Sequence, residues 1–187
     1  MTWDAFHRRG EILRDLIATA GARRDGTLPH RLADGTELYP DLFDDELDLV
    51  GALLLTWHAR LSGNIERELA RQPMDLEAAV VRAWARTADE GTGVRLVLDQ
   101  HIAHPLDARM GRALARARHK EWVRLAAAAG LACDQGRAAA EAGHRIELAA
   151  RERCRRAAPT PRPANARRTD PPCAGSFVER LRAALVA

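Results

Sequence analysis

The chain has 187 residues, 47% of them hydrophobic and 29% charged, with a formal net charge of +3 and a pI near 9.1. This is a globular composition with length for one substantial core, and it excludes wholesale disorder. No 18 apolar residues run together, which excludes a membrane-spanning helix, and Met1-Thr2-Trp3-Asp4 lacks the basic and apolar regions of a signal peptide, so a cytoplasmic protein is expected.

Nearly every periodic segment has a helical period, and no run alternates with period two for long enough to make a strand. The first helix is expected over Asp4–Ala20, with Phe6, Leu13, Ile17 and Ala20 on one face, Ile12 and Leu16 beside it, and Gly21 as its stop. From Ala22 to Pro40 the breakers Gly26, Pro29 and Gly35 predict a long loop, of the kind that is often functional or mobile. The strongest segment is a long central helix over 42–71. Phe43, Leu47, Val50, Leu54, Trp57, Leu61, Ile65 and Leu69 form one stripe at spacings of three and four. Asp41, Asp44, Asp45, Glu46 and Asp48 at its start, and Arg67 and Arg71 at its end, complement the helix dipole, and Pro73 closes it.

A third helix is expected over Asp75–Glu90, with Leu76, Val80, Ala83 and Trp84 inward and Gly91 as its stop. Thr92 suits the cap of a short fourth helix bearing Val94, Val97, Leu98 and Ile102. Pro105 suits the first turn of a fifth, which carries Leu106, Met110, Leu114, Ala117, Trp122 and Leu125 and ends near Gly130. The sixth, about Asp134–Arg156, has a weak inward face of Ala139, Ala142, Ile146 and Ala149. The fold class is therefore all-α, a bundle of about six helices over residues 1–156. Trp3, Trp57, Trp84 and Trp122 lie on or beside apolar stripes and read as core fillers rather than as a stacking platform.

Beyond the bundle the composition changes. Prolines 159, 161, 163, 171 and 172 and Arg162, Arg167 and Arg168 predict an extended, flexible linker over 157–174. Ser176 and Glu179 then form a capping box that opens a short amphipathic helix over 175–187, with Phe177, Val178, Leu181 and Leu185 as its apolar contacts. A helix this short is marginal alone, so it is expected to bind a protein partner or to dock intramolecularly. Charge divides at the same place. Residues 1–150 hold 20 basic and 23 acidic side chains, whereas residues 151–187 hold 9 arginines and 3 acids. The tail, from Arg151, Arg153, Arg155 and Arg156 onward, is thus the segment that suits weak, salt-dependent contact with nucleic acid. No aromatic residue interleaves it between Trp122 and Phe177.

For chemistry, His101 and His104 lean toward the apolar face of the fourth helix and His58 borders the central stripe. Three imidazoles from two helices would make a facial site for a divalent transition metal. In this respect the trio is similar to the three-ligand site of damage-inducible DinB-type bundles, which would imply a metal-dependent enzyme. A ferritin-like di-metal site lacks its ligands, since Glu141 and His144 form the one Glu-x-x-His pair. Cys133, Cys154 and Cys173 form no CxxC pair and read as free thiols. There is no glycine-rich phosphate loop and no GxSxG elbow, so the sequence gives no strong reason to expect an enzyme. An interaction or regulatory module, with a homodimer as one arrangement open to it, is the leading expectation, ahead of the metal-dependent bundle and the nucleic-acid-associated protein.

Overall fold

The computed structural model describes residues 3–29, 42–132 and 135–157. They form six α-helices and, among the described residues, no strand: α1 (Trp3–Arg23), α2 (Glu46–Leu69), α3 (Leu76–Glu90), α4 (Thr92–Ala103), α5 (Ala108–Ala128) and α6 (Arg137–Ala157). The all-α bundle expected from periodicity is the observed fold. Residues 30–41, which include most of the expected loop, and residues 158–187, which hold the expected linker and C-terminal helix, lie outside the described residues.

Three helices begin on the same device. Asp45, Asp75 and Asp107 each accept the backbone N–H three residues on, at 2.8, 2.9 and 2.7 Å, and so satisfy one orphan donor of the first turn. Pro105 stands ahead of this cap rather than inside the first turn of α5. Gly91, not Thr92, precedes α4; the Thr92 hydroxyl instead donates back to the carbonyls of Ala88 and Asp89 at 3.0 and 2.9 Å. α5 ends where Gly130 turns to φ +70. There the Leu131 N–H reaches the Ala126 carbonyl and the Gly130 N–H reaches that of Ala127, the paired bonds of a Schellman stop. α1 continues through Gly21 to Arg23, because the left-handed residue that breaks it is Arg24 at φ 50.

α5 packs along α6, α2 along α3, α3 on α6, and α1 on α4. The core they share is built on Trp57, Trp84, Leu53, Leu61, Leu98, Leu125 and Ile146. Two glycines set the closest approaches. A Cβ at Gly93 would overlap the backbone of Ala20, and one at Gly143 would overlap that of Trp122, so the α1–α4 and α5–α6 crossings require a residue without a side chain. Gly143 also explains the weak apolar face of α6. Its small residues are there to bring two backbones together, with Ala139, Ala142 and Ala150 buried and Ala149 exposed. Leu76 and Leu106, expected to face inward, are 41% and 65% exposed at helix ends. None of the described helices is long and apolar enough to cross a membrane.

Candidate functional site

The interior of the bundle is polar at its centre. Glu121 projects from α5 into the core and is almost entirely buried. The Trp57 indole N–H donates to its Oε2 at 2.9 Å, and the Trp84 indole N–H donates to Oε1 at 3.0 Å. His58 Nε2 lies 3.1 Å from Oε2. The two indoles meet edge to face at 5.5 Å, and the Arg95 guanidinium lies over both rings, 4.9 Å from Trp57 and 5.5 Å from Trp84. Burial pushes the Glu121 carboxyl up. The His58 hydrogen bond, the Arg95 charge and the Trp84 N–H outweigh it, so the group is held below the usual carboxylate range.

Arg95 hands the chain on to Asp99, to which its Nε donates at 3.0 Å. Arg151 of α6 reaches the same carboxylate with two N–H groups at 2.9 and 2.7 Å. Burial raises the Asp99 pKa, but the bonds and charges of Arg151 and Arg95 bring it down to about 2. Arg151 also lies 5.1 Å over the Trp84 ring and donates to Glu147 at 2.8 Å. Glu147, 1% exposed, accepts the Trp122 indole N–H at 2.5 Å, and Arg118 lies 4.8 Å over the Trp122 ring. Three carboxylates (Glu121, Asp99, Glu147) thus alternate with three arginines (Arg95, Arg151, Arg118), and each of the three tryptophans gives its N–H to an acid while carrying an arginine on its face. The members come from α2, α3, α4, α5 and α6. The pairings link all five of these helices through the core. Both Glu121 oxygens accept indole N–H groups.

The three histidines go to separate destinations. His58 faces Glu121. The buried His101 ring bonds the Val97 carbonyl through Nδ1 at 2.7 Å and Glu46 through Nε2 at 2.9 Å. His104 is exposed at the end of α4. Among the described residues no group of three or more His, Cys, Asp or Glu side chains is disposed to hold a metal ion. α2 and α4 present their imidazoles to different carboxylates rather than to each other. Of the arginines assigned to the tail, Arg151 belongs to the core lattice, and Arg155 and Arg156 pair with Glu152 on their own helix. Arg153 is exposed, and Arg162, Arg167 and Arg168 lie outside the described residues. So do Phe177, Val178, Leu181 and Leu185. Cys154 is a free, half-buried thiol whose pKa burial raises.

An opening in the surface lies away from this lattice. α2 is the floor and α1 and α5 the walls of a groove of about 650 Å3, a volume suited to a small ligand or to the side chains of a docked peptide. Its lining is mostly apolar, from Leu13 on α1 through Leu47, Leu54 and Leu55 on α2 to Ala113 and Leu114 on α5. Leu55 is 72% exposed there. Gly10 and Gly51 also line it, and a Cβ at either would meet nothing. At the rim Arg9 pairs with Asp48 at 2.7 Å and lies 4.5 Å over the Phe43 ring, while Arg109 pairs with Asp45 at 2.5 Å.

No protein-family model, curated protein or solved structure matches the chain. Its chemistry is read from these residues alone. The lattice escaped sequence reasoning because acids and arginines on a helix read as solvated faces. One signal was available: buried indole N–H groups need acceptors, and Glu121 lies seven residues after Leu114 and four before Leu125, on the buried face of α5.

Proposed function

We propose that the protein is an interaction module whose α1–α2–α5 groove receives an apolar helix face of a protein partner. The amphipathic segment 175–187, with Phe177, Val178, Leu181 and Leu185, supplies a second binding element. The observation that carries this reading is the groove itself. Leu54, Leu55 and Leu47 line an open floor between two walls, while the core carboxylates Glu121, Asp99 and Glu147 are engaged by indole and arginine donors. Helix interiors disfavour glycine by about 1 kcal/mol relative to alanine. Gly93 and Gly143 meet that cost with close backbone crossings, whereas Gly10 and Gly51 face open space in the groove, where an arriving helix can approach closely. Recognition of this kind uses anchors at i, i+3, i+4 and i+7 of the incoming helix.

The test is binding of the fluorescent apolar probe 1-anilinonaphthalene-8-sulfonate to the native full chain. Saturable binding is expected, and Leu55→Glu, a change at an exposed position, removes most of it with no change in circular dichroism. Binding that is absent, or equal in the variant, rejects the groove as a receptor site.

A further inference from the structure

We infer that the helix received by the groove is acidic. This rests on the groove reading above and adds the chemistry of the partner. The α5 wall carries Arg109, Arg112, Arg116, Lys120 and Arg124 on its exposed surface, and its one acid, Glu121, is buried in the core lattice. Positions three and four apart share a helix face. Arg109 lies four before the groove residue Ala113, Arg116 three after it and Lys120 seven after it, so these exposed cations share its side of α5, with Arg112 one turn before Arg116. On the opposite wall Arg14 lies back over the groove residue Gly10, its Nε donating to the Gly10 carbonyl at 3.3 Å. The rim acids are already matched, Asp48 by Arg9 and Asp45 by Arg109. Arg14, Arg112, Arg116 and Lys120 have no acid partner among the described residues. An apolar floor between unmatched cations is complementary to a helix with leucines on one face and carboxylates along both edges. Charge of this kind selects the partner and speeds its arrival more than it tightens the complex. Nucleic acid would use the cations but not the floor, and the groove is what favours the helix.

The experiment titrates the full chain with two fluorescein-labelled amphipathic 18-residue peptides that share a leucine face and differ in having glutamate or lysine elsewhere, and with a labelled DNA duplex. The glutamate peptide is expected to bind at least tenfold more tightly than the lysine peptide, and less tightly as salt rises. Arg116→Glu with Lys120→Glu weakens it about tenfold, since two exposed charges are each worth a few-fold. Leu55→Glu weakens both peptides. Equal binding of both peptides, or none of either while the fluorescent probe still occupies the groove, overturns the acidic partner and leaves the groove reading standing. Duplex binding that is lost on charge reversal and indifferent to Leu55→Glu overturns it in favour of phosphate contact. Loss of probe binding as well brings down both readings.

Discussion

Replacing Glu121 by glutamine keeps the size of the side chain and removes its charge and one acceptor. Trp57 and His58 share Oε2, and Trp84 bonds Oε1. Whichever way the amide turns, its NH2 faces at least one N–H donor, and Arg95, whose Nη1 is 4.0 Å from Oε1, loses a countercharge. A buried donor left unsatisfied costs about 1–3 kcal/mol, and a broken buried ion pair about 3–5 kcal/mol. Arg95 keeps Asp99, so the lower part of that range applies, and Glu121→Gln is expected to destabilise the bundle by about 3 kcal/mol. At this chain length that lowers Tm by roughly 6–12 °C. Urea unfolding followed by tryptophan fluorescence and by circular dichroism measures it. Trp84→Phe in the same background closes a double-mutant cycle, with a coupling energy above ~1 kcal/mol expected. A loss under ~1 kcal/mol, or additive effects, would mean that the carboxylate does not organise the core.

The crossing glycine Gly143 and the groove glycines Gly10 and Gly51 are expected to respond in opposite directions. Gly143→Ala forces α5 and α6 apart and is expected to cost at least ~2 kcal/mol by chemical denaturation. Gly10→Ala and Gly51→Ala have free space and ordinary helical backbone, and are expected to raise stability by about 0.4–1 kcal/mol in the same assay. Asp99, with its pKa lowered from 3.8 to about 2, stabilises the fold fully above pH 3.8. That contribution, at most ~2 kcal/mol for a partly exposed group, is lost as pH falls toward 2. Thermal unfolding of Asp99→Asn compared with the unaltered chain over that window shows the difference shrinking as pH falls.

Much of the helical order is legible in the sequence because it follows from local rules. The stripe from Leu47 to Leu69, the start of α3 at Asp75 and the stops at Gly91 and Gly130 depend on neighbours within a turn or two, whereas the caps at Asp45 and Asp107 lie inside the helices expected from residue 42 and from Pro105. Gly21 misleads for the same reason. A glycine is tolerated within a helix, and the chain turns instead at Arg24. The lattice is not local, since Glu121 meets Trp57 across 64 residues of chain and Arg151 meets Asp99 across 52. Nothing within a helical turn of Glu147 announces that it is buried against Trp122. Charge shows the same lesson. The slightly acidic total of residues 1–150 conceals α5, whose exposed charges are all positive, because the compensating acids stand on other helices. Likewise Arg151, which opens a basic tail in sequence, closes the core lattice in space.

The most direct test of the groove as a receptor is a methyl NMR titration of the full chain with the leucine–glutamate peptide. Chemical-shift changes concentrated at Leu13, Leu47, Leu54, Leu55, Ala113 and Leu114 are expected, with Leu98, Leu125 and Ile146 of the core unmoved. Shifts confined to other surfaces, or no shifts at saturating peptide, would contradict the groove reading.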